Sequence, residues 1–212
     1  MFHSKTITVI ALDGGFSELC FRRQGAFSSG RDRNAIADFL NATKYIASKP
    51  DIRGVLVTGL SAAEAPECEA INAGPRTLSY HEMADDMFCA DAIRAFADLP
   101  VPTIAAINGF AFGAALETAL SASMRVLTNS SRVCLPDESG SRSADAALEA
   151  GLVDVVSAPE ALREAALVML RMAAEGDIDW QGQRDKQRHP SPFELQTDFV
   201  PKHVAELSGE LI

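Results

Sequence analysis

The run Asn108-Gly109-Phe110-Ala111-Phe112-Gly113-Ala114-Ala115-Leu116-Glu117 puts two glycines and one carboxylate at spacings that can do chemistry. Gly109 and Gly113 permit close backbone approach and unusual dihedrals. A helix that starts near Gly113 presents amide N–H groups without intrahelical acceptors, at the positive end of its dipole. Such an end can hold an oxygen that gains negative charge during a reaction. Glu117 lies about one turn further on and can be aimed at the same place. Oxyanion donors beside a carboxylate make a proton-transfer site. The structural alternative is that the helix dipole simply favours a glutamate there.

The elements that must position this run are legible in outline. Residues 104–107 carry no polar side chain and predict a strand covered on both faces. Two apolar runs, 6–12 and 16–22, flank Asp13-Gly14-Gly15, which is a hairpin signal. Apolar positions Ile36, Phe39, Leu40, Thr43, Ile46 and Ala47 predict a helix over 34–48, stopped by Pro50. A short buried strand is expected at 55–57, between Gly54 and Gly59. Residues 60–78 read as a long loop of small and acidic residues, a length that in compact domains goes with function. Ser79-Tyr80-His81-Glu82 is a capping box opening a helix to about Asp98, with Met83, Met87, Ala90, Ile93 and Ala97 on one stripe. Strands at 124–128 and 132–135, a helix over 143–149, a strand at 152–156 and a helix over 159–174 follow. The expected fold class is α/β, a mostly parallel sheet entered by a hairpin. Residues 1–180 form the core domain in this reading, and 181–212 a polar C-terminal tail, either loosely held or packed on another subunit.

Composition narrows the classes. At 47% hydrophobic and 23% charged residues, the 212-residue chain is a globular and not a disordered sequence. Its net charge of −10 argues against nucleic acid or an anionic membrane as partner. A few local arginines could still hold an anionic small molecule. Cys20, Cys68, Cys89 and Cys134 show no C-x-x-C spacing, and Cys20 and Cys134 fall in apolar strand patterns. Ordinary buried thiols in a reducing compartment are expected. The four histidines lack ligand spacing, so no metal is expected. Neither a leader nor an apolar run of transmembrane length occurs, and the expected location is cytoplasmic.

Three ordered motifs resemble the crotonase family, the enoyl-CoA hydratases and isomerases. Pro102-Thr103-Ile104-Ala105-Ala106-Ile107-Asn108-Gly109 through Glu117 resembles the family's P-T-I-A-A-[IV]-N-G-x-[AC]-x-G-G-G-x-E. Leu135-Pro136-Asp137 stands where the family has L-P-E, and Gly151-Leu152-Val153-Asp154-Val155-Val156 is similar to G-L-V-D-x-V. Gly14-Gly15-Phe16-Ser17-Glu18-Leu19-Cys20-Phe21 and Gly176-Asp177-Ile178-Asp179-Trp180 fit the branch found in bacterial fatty-acid oxidation. The resemblance spans roughly residues 5–185 with one large gap. It implies a crotonase-like spiral of ββα units, a single domain with a short C-terminal helical tail.

The resemblance also implies a site. The backbone N–H groups of Ala114 and Cys68 would form the oxyanion hole for an acyl-CoA thioester carbonyl. The family usually has glycine where Ala114 stands, and G-A-D-[IL] where this chain has Glu67-Cys68-Glu69. The latter also reads as a plain solvated acidic loop. Glu117 would be the first catalytic glutamate, with Asp137 or Glu138 as the second carboxylate. Asp137-Glu138-Ser139-Gly140 alternatively is a polar turn after a strand. Arg22, Arg23 and above all Arg31 and Arg33 would meet the CoA phosphates, unless they are mere surface charge. No bound cofactor is implied, since the substrate itself carries the coenzyme A. The family commonly assembles as trimers or hexamers, so a homo-oligomer is expected.

Only thirteen residues separate Asp137 from Gly151, where the family spends several times that on a P-G-x-G-G-T-type loop and on the acyl-pocket wall. A site opened in this way stays wet, which weakens oxyanion contacts. The expected function is therefore enoyl-CoA hydration, or double-bond isomerisation if one carboxylate works alone. The alternatives are a non-catalytic crotonase-fold protein serving in binding or assembly, and thioester hydrolysis or decarboxylation in the altered pocket. No G-x-G-x-x-G dinucleotide motif for a dehydrogenase occurs.

Overall fold

The apolar run at 104–107 forms strand β5 (Thr103–Ile107), all five residues of which are buried. Its two faces feed two cores: Ala105 and Ile107 point to one, Ile104 and Ala106 to the other. That alternation is the reason the strand tolerates no polar side chain between them. The computed structural model describes residues 1–22, 27, 32–62, 80–135 and 140–182.

Chain order over these residues is β1 (Phe2–His3), β2 (Ile7–Leu12), β3 (Phe16–Phe21), α1 (Arg33–Ala47), β4 (Gly54–Thr58), α2 (Tyr80–Ala97), β5, β6 (Phe110–Phe112), α3 (Gly113–Ser121), β7 (Met124–Thr128), β8 (Arg132–Cys134), β9 (Arg142–Ser143), α4 (Ala144–Glu149), β10 (Val155–Ser157) and α5 (Leu162–Glu175). The main sheet has the order β1-β2-β3-β4-β5-β7-β10. Its first three strands are antiparallel, and β3 through β10 are parallel. The second sheet is β6-β8-β9.

The expected hairpin forms, but its connection is a single turn of 3₁₀ helix (Asp13–Gly15) with Gly14 and Gly15 both at φ +79. Helix α1 is capped by Asp32, which accepts from the amides of Asn34 and Ala35. It buries Ile36, Phe39, Thr43 and Ile46, while Ala47 stays exposed. Phe39 anchors an aromatic stack with Phe21, Phe27 and Phe96 at centroid separations of 5.1–5.5 Å.

Three expectations need correction. Of the stripe expected on α2, Ile93 is buried but Met87 is 68% exposed, and the buried face is completed by Cys89, Ala92 and Phe96. Helix α2 is covered by α1 on one side and α3 on another, and these neighbours select the face. The strand expected at 152–156 is shorter and later, β10 at Val155–Ser157, because Leu152 and Val153 are buried before pairing begins. Cys20 is only half-buried, whereas Cys134 is buried as expected. The capping box at residues 79–82 lies outside the described side chains.

The core that faces α1, α2, α3 and α4 holds most of the buried apolar side chains. The opposite face of the sheet is covered by α5, whose Ala166, Leu170 and Ala173 meet Leu56, Ile104 and Val126. Burial of this kind contributes about 25 cal/mol per Å² of apolar surface.

Candidate active site

The glycine-bearing run folds as its residue types require. After β5 the backbone turns at Gly109, where φ is +120, a conformation that L side chains rarely adopt. A Cβ there would lie 2.6 Å from the Ala62 carbonyl oxygen, so glycine also permits the close pass of the segment leaving β4. Gly113 takes φ +53 and opens α3. The N-cap residue Phe112 is extended and gives no side-chain hydrogen bond. The first amides of α3, Ala114 among them, thus have no cap and no acceptor inside the helix. Ala114 is buried, and its carbonyl accepts from Thr118 Oγ1 at 2.8 Å.

Glu117 sits one turn into α3 and is half-buried. It stands close enough to Cys89, a fully buried residue of α2, for its charge to act on that thiol. The Cys89 thiol is pushed up to about 12, chiefly by burial, then by the charges of Glu117 and Asp86. Asp86 precedes Cys89 by three residues on α2 and so shares its face. The seam between α2 and α3 therefore brings two carboxylates to one buried thiol. At neutral pH that thiol is protonated and is no nucleophile.

The third motif has a structural role. Arg125 of β7 is 1% exposed, and its backbone N, Nε and Nη2 all donate to Asp154 Oδ2, at 2.8, 3.3 and 3.0 Å. Its Nη1 donates to the Leu120 carbonyl at the end of α3, 3.1 Å away. Burial lowers the Arg125 pKa and Asp154 opposes that shift. Asp154 thus fastens the rear of the helix that carries Glu117.

Of the other sequence-derived residues, Arg33 heads α1 and pairs through Nε with Asp85 of α2 at 2.8 Å. Arg22 Nη1 donates to His3 Nε2 at 3.1 Å. Cys68, Arg23, Arg31, Asp137 and Glu138 lie outside the described residues. Among the described residues no group of three or more His, Cys, Asp or Glu could hold a metal, and no helix is long and apolar enough to cross a membrane. Sequence reasoning missed Asp86, Cys89 and the hydroxyls of Ser61, Thr128 and Ser131 around Gly109. A signal existed only for Thr128, a polar residue at the end of an apolar strand.

No family model matches the chain. It is 30% identical to the fatty acid oxidation complex subunit alpha of Pseudomonas syringae pv. syringae (strain B728a), over 97% of its own length and 32% of that protein. The chain thus spans about a third of the length of the curated relatives it matches. Among solved structures, an enoyl-CoA hydratase of Mycobacterium smegmatis superposes with a TM-score of 0.66 at 20% identity, covering 97% of this chain and 89% of that one. Pseudomonas aeruginosa DspI does so with a TM-score of 0.67 at 20% identity, covering 97% and 95%. The chain has the crotonase fold. In sequence the chain is similar to the fatty acid oxidation alpha subunits.

Proposed function

We propose that the chain acts on acyl-CoA thioesters as an enoyl-CoA hydratase or isomerase. The observation that carries this reading is the place of the half-buried Glu117, one turn behind the uncapped head of a helix that follows the Gly109 turn. The Ala114 N–H, with that of Cys68, would hold the thioester oxygen as it gains charge. Glu117 would take a proton from water as the water oxygen bonds to C3 of a 2-enoyl-CoA. Asp137 or Glu138 would then deliver a proton to C2, giving the 3-hydroxyacyl-CoA. With Glu117 alone, a proton is moved between carbons and the double bond migrates. Arg31 and Arg33 would meet the CoA phosphates. Assembly as a trimer or hexamer belongs to the same proposal and rests on resemblance.

One observation favours a second reading, a crotonase-fold protein without turnover that serves in binding or assembly. The match to the alpha subunit runs over 248 positions against the 212 residues present here, so the relative carries segments this chain lacks. The shortened stretch between Asp137 and Gly151 is where the family builds its acyl-pocket wall.

Loss of the conjugated-thioester absorbance of crotonyl-CoA separates the two. Hydration that falls by about 10²-fold or more in Glu117→Gln supports the enzyme reading. Absence of turnover in the parent chain, with CoA thioester binding seen by calorimetry, supports the second.

A further inference from the structure

The Ile107 to Phe110 turn is held by hydrogen bonds from two sides. From the β4 side, the buried Ser61 Oγ donates to the Asn108 carbonyl at 2.5 Å. Next to it, Ala62 and Phe110 exchange reciprocal backbone hydrogen bonds of 2.8 and 3.0 Å. From the β7 side, Gly109 N donates to Ser131 Oγ at 2.7 Å, and Arg132 N donates to the Gly109 carbonyl at 3.1 Å. Ser131 Oγ also reaches the Ile107 carbonyl at 3.3 Å, and Thr128 Oγ1 donates to Asn108 Oδ1 at 3.3 Å. Ser131 and Thr128 are no more than 1% exposed. Hydroxyls in so dry a place hold their partners tightly, because water cannot replace the bond.

The arrangement is asymmetric. On the β7 side, several hydroxyls and an amide share the work. On the β4 side, among the described residues, one side-chain oxygen, Ser61 Oγ, is added to the backbone bridge. The turn leads through only three residues of β6 into α3, so a shift at Asn108 is passed to Ala114 and Glu117 with little slack.

We propose that Ser61 is a positioning residue of the acyl-thioester site: its hydroxyl on the Asn108 carbonyl sets where the head of α3, and with it the Ala114 amide and Glu117, stands relative to β4. This rests on the oxyanion reading above. The role is distinct from stability alone. A displacement of about 1 Å at a reacting centre costs on the order of a hundredfold in rate while binding contacts elsewhere persist.

The test compares Ser61→Ala, Ser61→Thr and Ser123→Ala in the full chain. Ser123 Oγ accepts from Thr103 N at 3.1 Å, so Ser123→Ala loses a buried bond away from the turn. Ser61→Ala is expected to lower kcat for crotonyl-CoA by roughly tenfold or more with little change in KM. It should also speed amide exchange over residues 108–117. Ser61→Thr, which keeps a hydroxyl, should recover most of both, and Ser123→Ala should lower Tm yet leave kcat and that exchange unchanged. Unchanged kcat and exchange in Ser61→Ala, or equal effects in Ser123→Ala, overturn the proposal. If the parent chain does not turn over crotonyl-CoA, the enzyme reading fails by itself. The exchange comparison then decides the Ser61 assignment in the same two directions.

Discussion

The Glu117 carboxylate of α3 acts on the buried Cys89 thiol of α2, and with Asp86 and burial holds that thiol at about 12. Helices α2 and α3 pack together, and Glu117 is half-buried.

A pH dependence of stability follows from Cys89. In the unfolded chain the thiol ionises at its ordinary 9.0, and in the fold only near 12. Its contribution is fully present below pH 9 and is lost as pH rises toward 12, at about 1.4 kcal/mol per pH unit. Urea unfolding measured between pH 8 and pH 11 should show this slope, and Cys89→Ala should flatten it. An unchanged slope in that variant would place its source elsewhere. Native Cys89 should also resist alkylation at pH 8.

Gly109→Ala should destabilise the fold and disrupt the turn. The φ of +120 costs a side-chain-bearing residue roughly 1–3 kcal/mol. The added Cβ also meets a backbone carbonyl at 2.6 Å, which cannot swing aside as a side chain would. Thermal unfolding checks the loss.

Asp154→Ala strands the Arg125 guanidinium in the interior. Removal of one member of a buried ion pair costs about 3–5 kcal/mol. Replacing both partners, as in Arg125→Met with Asp154→Leu, should recover much of that loss. Chemical denaturation of the two variants measures the difference, and a mild single variant would show that Arg125 finds another acceptor.

Phe39→Ala removes the ring shared by Phe21, Phe27 and Phe96. A loss of about 3–5 kcal/mol is expected, since the surrounding rings cannot collapse fully into the space. This change should spare crotonyl-CoA hydration at temperatures where the variant stays folded.

Much of the fold was readable in advance, for local reasons. The unbroken apolar run at 104–107 predicted a doubly covered strand, and the apolar 3.6-residue period from Ile36 to Ile46 predicted α1. The hairpin of β2 and β3 followed from Asp13-Gly14-Gly15. Helix α2 was misread on its buried face because several stripes of its sequence are apolar enough, and neighbouring helices made the choice. The site was legible only as a helix head with Glu117. The hydroxyls that hold its turn carry no period and no motif.

Taken alone, the amino-acid order determined the strand and helix succession, the need for glycine at 109 and the likeness to enoyl-CoA hydratases. Those signals arise between residues a few positions apart. The tertiary structure alone decided that Ser61 meets Asn108 across 47 positions, Gly109 meets Ser131 across 22, and Arg125 meets Asp154 across 29. Polar partners at such separations are chosen by how strands stack in the sheet, and nothing in the local chain encodes that neighbourhood.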